Sequence, residues 1–372
     1  MWSRLGSAPF VLMDAPLTPR LNALRLRLKK AGLSALLVAR PADWRYLSGF
    51  SGDSGLLLVA AGSVVLFTDG RYVLQARSET RNVAIVSCQG PLSQAIGAWA
   101  NRNRIHTIGF SPEHLTVAQA NALRRACGRS VAWKPVSGVV EELRSVKNGS
   151  EIAQMRRAAA LAGEVMEHML AFLKPGLREI EVAAELDYQI RKRGASGPAF
   201  EAIVASGPRS AFPHARPTAK RLKKNELVVL DLGAILGAYC SDLTRTAFLG
   251  HAPKRIRNWY LAVREAQAAG IEAARQGVSC ADVDRAARSV LAKQGLDKYF
   301  THSTGHGIGL EVHEEPRLAS TQEQPLQAGQ VVTVEPGVYV QGVGGIRIED
   351  EILIRPNGSE LLTRVTRDLM EL

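Results

Sequence analysis

Three carboxylates lie inside apolar stretches whose composition is typical of buried β-strands. Asp231 ends the run LVVLDLG, Glu335 lies in VVTVEPGVYV, and Glu349 lies in GGIRIEDEILI. Burying an ionised carboxylate costs several kcal/mol unless a partner compensates it. A structural ion pair would explain one such residue. Three of them, with Asp242 nearby in the sequence, favour a strong cation that they share.

Two histidines accompany these carboxylates in the segment HSTGHGIGLEVHEEP. His306 lies between Gly305 and Gly307, and His313 follows seven residues later. Glycines let the backbone approach a ligand without side-chain obstruction. Carboxylates with one imidazole suit Mn²⁺, Mg²⁺ or Co²⁺, and the imidazole also admits Zn²⁺. Five further histidines are interpreted as ordinary core or surface residues: His106, His114, His168, His251 and His302.

Strand geometry adds an arginine to the predicted site. A strand is predicted over residues 346–354, and Arg347 and Glu349 would project from the same face of it, because side chains alternate along a strand. Arg347 would then orient the metal-binding carboxylates. The alternative is a surface ion pair across strands, which would contribute little.

The 372-residue chain is long enough for two domains. Alternating helix and strand patterns predict a small α/β domain over residues 14–140. Leu21, Leu24 and Leu28 are spaced for one face of its first helix, and residues 56–59 and 64–68 are predicted to form a hairpin. Residues 134–150 lack periodic apolar positions and mark the junction. The second domain is predicted over 150–372, with Ser150 as the N-cap of a long helix that stops at Pro175. The methionines along that helix are interpreted as core.

The net charge of +12 is concentrated in the N-terminal part, where residues 1–140 contain 17 Lys and Arg against 6 Asp and Glu. These basic residues are scattered and form no aromatic-interleaved patch, so nucleic acid is disfavoured as a partner. The four cysteines form no CxxC pair, which indicates free thiols and a cytoplasmic location. No run of 18 apolar residues occurs, so no membrane span is expected. Residues 1–13 are too short and broken for a signal peptide, and Met13 is an alternative translation start.

These motifs resemble the pita-bread metallopeptidases, the family of methionine aminopeptidase, aminopeptidase P, prolidase and creatinase. The matching segments are SAFPHARPT, VVLDLGAILGAYCSDLTRT, TGHGIGLEVHEEP, VVTVEPGVY and IRIED. Two N-terminal segments, DWRYLSGFSGDSG and LFTDGRYVLQA, resemble the creatinase/prolidase N-terminal domain. That domain and the FPHA motif favour the Xaa-Pro peptidase branch. The implied fold class is α/β (α+β), with the small N-terminal domain followed by a pita-bread catalytic domain.

The resemblance implies a centre of two divalent metal ions, with manganese expected first and cobalt or zinc as alternatives. Asp231 would bind one ion, and Asp242 and Glu349 would bridge both. His306 and Glu335 would complete the coordination of the other ion. All five positions match the family pattern.

The implied activity is hydrolysis of the Xaa-Pro bond at the N-terminus of peptides or in dipeptides. Glu335 would manage the proton of the attacking water, and Arg347 would tune the carboxylates. His214 and His313 would stabilise the oxyanion and position the peptide.

An apolar wall for the proline ring is a further expectation. Phe212, His214 and Tyr339 are its candidates, and Phe212 and Tyr339 are equally compatible with ordinary core packing. Alternatives to the peptidase are a creatinase-like amidinohydrolase and a non-enzymatic binding module, although both predict broken ligand positions. The choice between aminopeptidase P and prolidase specificity stays open. Related enzymes imply a homodimer or homotetramer.

Overall fold

The computed structural model describes residues 17–372, and its contacts divide the chain into two compact units. The first ends at Arg144 and the second comprises Ser145–Leu372. The predictions for residues 1–13, including a start at Met13, lie outside the described residues. The predicted domain limits, 14–140 and 150–372, stay predictions.

The first unit contains a six-stranded mixed sheet in the order β4-β3-β2-β1-β5-β6. Its strands are β1 (Ala35–Val38), β2 (Leu56–Ala60), β3 (Val64–Asp69), β4 (Ala84–Cys88), β5 (Thr107–Phe110) and β6 (Ala132–Pro135). Its helices are α1 (Leu17–Lys30), α2 (Pro41–Ser48), α3 (Val73–Glu79), α4 (Leu92–Arg102) and α5 (Val117–Cys127), and α6 (Glu141–Ser145) ends at the junction.

Most elements of this α/β unit follow from the sequence pattern. The predicted hairpin is confirmed, since β2 and β3 pair antiparallel around a short turn. The predicted apolar face of α1 is also confirmed, because Leu21, Leu24 and Leu28 are all buried. The sequence reading missed α2, β5 and β6. Each has eight residues or fewer, which is too few for a periodic pattern of apolar residues to be recognised with certainty.

The second unit contains four sheets and four long helices. Its strands are β7 (Gly197–Pro198), β8 (Ile203–Ser206), β9 (Leu227–Leu232), β10 (Ala234–Leu236), β11 (Tyr239–Cys240), β12 (Leu243–Phe248), β13 (Gly305–Gly307), β14 (Glu314–Leu318), β15 (Val331–Val334), β16 (Gly337–Val340), β17 (Gly344–Arg347), β18 (Asp350–Arg355), β19 (Gly358–Leu361) and β20 (Met370–Glu371). Its helices are α7 (Gly149–Phe172), α8 (Glu179–Lys192), α9 (Lys254–Ala273) and α10 (Cys280–Lys293).

The long helix α7 starts at a different cap from the predicted Ser150. Asn148 is the N-cap, and its side chain accepts hydrogen bonds from the backbone N–H groups of Ser150 and Glu151. The Glu151 carboxylate in turn accepts a hydrogen bond from the backbone N–H of Asn148. This reciprocal capping box satisfies more of the free N–H groups at the helix start than Ser150 could alone. The methionines of α7 are fully buried in the core, as predicted.

The predicted strand over residues 346–354 is two strands. β17 pairs with β16, whereas β18 pairs with β15 and β19. Ile348 and Glu349 connect them where the chain passes from one sheet to the other. The prediction of one continuous strand was wrong because both halves are equally apolar and the sequence does not reveal that their partners differ.

Strand register places acidic residues side by side at one end of a sheet. β15 and β18 are antiparallel, with Val334 opposite Asp350. Glu335 follows the first strand and Glu349 precedes the second, so both lie just beyond the last pair. A slip of one residue would turn every side chain of one strand to the opposite face, so this register is what places the two acids together.

All four cysteines are free and buried. In the part of the chain that the structure describes, no helix combines the length and apolar character needed to cross a membrane.

Candidate metal centre

The residues predicted as metal ligands lie together in the second unit. His306 Nε2 lies 3.6 Å from Asp242 Oδ2 and 3.5 Å from Glu335 Oε1. Asp242, His306 and Glu349 each offer one ligand atom, and these atoms lie within 4.8 Å of one another. The structure therefore brings these four side chains to a common centre, although their roles as ligands stay predictions.

Asp231 reaches the same centre from β9 and has one unsatisfied oxygen. Its Oδ2 accepts a hydrogen bond of 2.5 Å from Arg347 Nη2. Its Oδ1 is buried and accepts no hydrogen bond from residues 17–372. A buried, unpaired carboxylate oxygen is costly, and such an atom in a native structure calls for a partner. A metal ion beside Asp231 would supply one.

The carboxylates of the centre disfavour their own ionisation. Burial first, and then the negative charges of the neighbouring carboxylates, raise the pKa of Asp242 and Glu349 well above the ordinary range. Burial raises the pKa of Glu335 to about 8, against the lowering effect of Arg347. Four acids thus face one guanidinium. This excess of acid is the environment that divalent cations stabilise.

His306 presents its free nitrogen to the acids. Its Nδ1 lies 3.0 Å from the carbonyl oxygen of Gly307, which can only accept, so Nδ1 carries the hydrogen. In the neutral ring, Nε2 then has a lone pair directed at Asp242 and Glu335. Burial lowers the pKa of His306 to about 4, so the ring is neutral near pH 7. A neutral imidazole held by a carbonyl on its other nitrogen is the arrangement of a metal ligand.

The glycines beside His306 are required by close backbone contacts. A Cβ on Gly305 would lie 1.9 Å from the carbonyl oxygen of Thr333, and one on Gly307 would lie 2.3 Å from that of Glu315. Side chains at these positions would displace β13 and with it the imidazole. These glycines thus allow close contact with the neighbouring strands β14 and β15, and the predicted approach to a ligand stays a prediction.

Thr244 links Arg347 to Glu349 and was missed by the sequence reading. Its Oγ1 accepts a hydrogen bond of 3.1 Å from Arg347 Nε and donates one of 2.6 Å to Glu349 Oε2. All three side chains are buried. The alternative of a surface ion pair is therefore wrong, although the predicted proximity of Arg347 and Glu349 is correct. Thr244 lies in SDLTRT, two residues after Asp242, which is the signal that could have revealed it.

Glu351 is a buried acid that was also missed in the sequence. Its Oε1 accepts a hydrogen bond of 2.8 Å from the backbone N–H of Asp242. Burial raises its pKa to about 8. Glu351 follows Glu349 by two residues and positions the chain at Asp242 rather than facing the imidazole.

A chain of hydrogen bonds leads from Arg347 to another histidine. Arg347 Nη1 donates to Tyr339 Oη at 2.8 Å, and this hydroxyl lies 2.9 Å from His302 Nε2. Burial, then Arg347, lower the pKa of His302 to about 4. His302 was interpreted as an ordinary residue, yet it belongs to this network. Its spacing of four residues before His306 was the available signal.

The outer candidates lie at the exposed edge of the centre. The ring centroids of His313 and His306 are 4.4 Å apart. Burial, and then the neighbouring His214, lower the pKa of His313, which places His214 on the same side. Phe212 is 58% exposed, whereas Tyr339 is buried. Their parts in a proline pocket stay predictions.

Comparison with known proteins agrees with this architecture. The model of metallopeptidase family M24 matches residues 153–356, and that of the creatinase/prolidase N-terminal domain matches residues 20–146. The Xaa-Pro dipeptidase of Pyrococcus horikoshii is 34% identical over 342 residues, which are 92% of this chain and 95% of that protein.

Solved structures are also similar over nearly the whole chain. An Xaa-Pro dipeptidase from Bacillus anthracis has a TM-score of 0.93 at 37% identity and covers 96% of this chain and 100% of its own. An X-Pro aminopeptidase from Thermotoga maritima has a TM-score of 0.86 at 32% identity, with coverages of 93% and 100%.

The M24 model matches more than half of the chain, and the geometry of the acids and the imidazole fits divalent metal binding. The predicted mixed α/β fold, with a creatinase-like N-terminal domain and a pita-bread second domain, is confirmed. The chain belongs to metallopeptidase family M24.

Proposed function

We propose that this metallopeptidase hydrolyses the peptide bond that precedes proline, using two divalent metal ions. The observation that carries the proposal is the convergence of four carboxylates on one neutral imidazole, with a buried Asp231 oxygen that lacks a hydrogen-bond partner in residues 17–372. The proposed ligands are Asp231, Asp242, His306, Glu335 and Glu349. Manganese is the expected metal, with cobalt or zinc as alternatives.

Bound divalent ions would lower the pKa of water towards neutrality and polarise the scissile carbonyl. The surrounding side chains would transfer the proton and hold the substrate. Glu335, whose pKa burial raises to about 8 without metal, would take and return the proton of the attacking water. His214 and His313 would donate hydrogen bonds to the oxygen of the tetrahedral state and hold the peptide.

Arg347 would keep this arrangement in place. It contacts Asp231 directly and reaches Glu349 through Thr244. It also donates to Tyr339, which fixes the phenol beside His302. The phenol face and the exposed Phe212 are proposed to flank the proline ring, whose fixed shape suits a preformed apolar wall.

Dipeptide hydrolysis is the expected form of the activity, because named relatives that match this chain almost end to end are Xaa-Pro dipeptidases. Removal of the first residue from longer peptides is the second candidate, favoured by the similar X-Pro aminopeptidase structure. Turnover of Ala-Pro compared with Ala-Pro-Ala separates the two. A dipeptidase prefers the first substrate, and an aminopeptidase cleaves the second at least equally well.

A metal-exchange experiment tests the proposal as a whole. The protein is stripped with a chelator and then supplied with Mn²⁺, Co²⁺ or Zn²⁺. Cleavage of Ala-Pro should disappear on stripping and return with at least one metal. Ala-Ala serves as a control that lacks proline. Activity that is indifferent to the chelator, or equal on both dipeptides, contradicts the proposal. A cytoplasmic homodimer or homotetramer remains the expected setting.

A further inference from the structure

A buried carboxylate outside the candidate metal centre lies at the base of the segment that carries His214 and Phe212. This segment, residues 207–217, is called here the 207–217 loop. It leaves β8 at Ser206 and ends at Thr218. Glu179, the first residue of α8, is 0% exposed and lies between these two ends.

Glu179 holds both ends of the loop through one carboxylate. Its Oε1 accepts from the backbone N–H and the hydroxyl of Ser206, at 2.9 and 2.8 Å. Its Oε2 accepts from the backbone N–H and the hydroxyl of Thr218, at 3.1 and 2.7 Å. Arg209 Nε, inside the loop, adds a contact of 3.1 Å to the same oxygen. Five donors thus converge on two oxygens.

The neighbouring contacts fix the direction of these hydrogen bonds. Lys220 Nζ donates to the Ser206 hydroxyl at 2.6 Å, and the Lys220 backbone N–H donates to the Thr218 hydroxyl at 3.2 Å. Each hydroxyl is therefore an acceptor on that side and directs its own hydrogen at Glu179. Only an ionised carboxylate can accept all five hydrogen bonds. A glutamine at this position would place its N–H₂ group, which only donates, opposite some of these donors.

The remaining part of the loop is attached to the strand that carries Arg347. The Ser210 hydroxyl accepts from the Gly345 N–H at 2.8 Å and donates to the Gly207 carbonyl at 2.6 Å. A Cβ on Gly345 would lie 2.1 Å from the Ser210 carbonyl oxygen, so the two segments are in close contact. Arg347 Nη1 donates to the Pro213 carbonyl at 3.1 Å. The loop is thus fixed at its base by Glu179 and along its length by β17.

We infer that Glu179 is a positioning residue that anchors the 207–217 loop so that His214 is presented to the peptide substrate. The kinetic part of this inference rests on the proposed function, in which His214 contacts the peptide. Glu179 itself touches neither the candidate metal ligands nor the proposed substrate groups. Its effect reaches them through the loop alone.

The test compares Glu179→Gln with Glu181→Gln. Glu181 lies in the same first turn of α8 and pairs with Arg178, and a glutamine keeps the capping box intact. In Glu179→Gln, hydrogen exchange of the loop amides should rise about tenfold or more, as expected when a buried anchor is lost. The ratio kcat/KM for Ala-Pro should fall about tenfold, because His214 is proposed both to hold the peptide, which acts on KM, and to stabilise the tetrahedral state, which acts on kcat. The number of Mn²⁺ ions bound should not change.

Thr218→Val is the second variant, because it removes one hydroxyl donor and leaves the carboxylate paired. It should raise exchange in the same loop by a smaller factor, and it decides the matter if Glu179→Gln fails to fold. Loop exchange no faster than in Glu181→Gln overturns the inference. Faster loop exchange with unchanged kcat/KM overturns it too, because the anchor would then have no effect on how His214 is presented to the substrate. The wild-type chain alone tests Xaa-Pro cleavage, so a failure of the proposed function is seen separately.

Discussion

Glu349 and Asp350 are consecutive residues that are both almost fully buried, but their surroundings are opposite. Asp350 accepts from Arg245 and Thr363 on one oxygen, at 2.8 and 2.6 Å, and from Gln267 on the other at 2.8 Å. Arg367 adds an ion pair of 2.8 Å. Every direction around this carboxylate is occupied by a donor.

Glu349 accepts from Thr244 and otherwise faces other acids. Its ligand atom lies within 4.8 Å of one from Asp242 and one from His306. The comparison teaches that burial alone does not identify a functional carboxylate. The side chains around Asp350 compensate its charge, whereas Glu349 and its neighbours place several acids together, whose charge the proposed cations would compensate. The predictions below test that distinction, beginning with the largest expected effect.

Glu349→Ala should reduce Xaa-Pro cleavage about a thousandfold or more, because one side chain of the metal centre is lost. The metal-free protein should stay folded, since the substitution also removes like-charge repulsion. Steady-state kinetics measures the first effect and circular dichroism the second. Asp242→Ala should behave in the same way. Retention of more than about a tenth of the activity would contradict a ligand role.

Asp350→Ala should instead act on folding. Removing one partner of a buried ion pair costs about 3–5 kcal/mol, because Arg245 would remain buried and uncompensated. Urea unfolding of the metal-free protein measures the change. Asp368→Ala is the matched control, because Asp368 pairs with Arg264 at the surface and is 76% exposed. The distinction between the surroundings of Asp350 and those of Glu349 is contradicted if Asp350→Ala is as stable as this control.

Thr244→Val should weaken metal binding by about 10–100-fold, the usual cost of losing a group that orients a ligand. The valine keeps the shape but leaves Arg347 and Glu349 without their shared hydroxyl. Thr244→Ser keeps the hydroxyl and is the control. Calorimetric titration with Mn²⁺ compares the two. Equal affinities would show that the hydroxyl does not orient Glu349.

The metal-free protein should become less stable as pH rises. Burial raises the pKa of Glu335 and Glu351 from 4.5 to about 8, so the folded state keeps protons that the unfolded chain releases. Stability is therefore greatest below pH 4.5 with respect to these groups, and is lost between pH 4.5 and 8. With Mn²⁺ present the decline should become smaller, because a metal-bound Glu335 is deprotonated and then matches the unfolded chain above pH 4.5. Thermal unfolding across this range, with and without Mn²⁺, checks both expectations. A metal-free midpoint that rises over the same interval would refute the account.

Much of this site was visible in the sequence because it depends on local chemistry. Acids within or next to apolar strands and a histidine between glycines pointed to the four carboxylates and the imidazole that meet at the centre. The connections between them were less visible. Whether residues 346–354 form one strand or two depends on pairing partners far away in the chain, which periodicity does not report.

Some residues could not be separated by pattern alone. Asp350 and Glu349 are adjacent acids in the same apolar run, and only the arrival of Arg245 and Gln267 from other elements separates their roles. Thr244, Glu351 and His302 were missed for the same reason. The role of a polar side chain in a buried segment depends on the atoms that it contacts, and these come from distant parts of the chain.

The central claim is that the side chains of Asp231, Asp242, His306, Glu335 and Glu349 bind two divalent ions. Anomalous X-ray diffraction at the manganese edge, from crystals grown with Mn²⁺, tests it most directly. The account predicts two anomalous peaks surrounded by these five side chains. Their absence from this centre, with the ions at other positions, would contradict it.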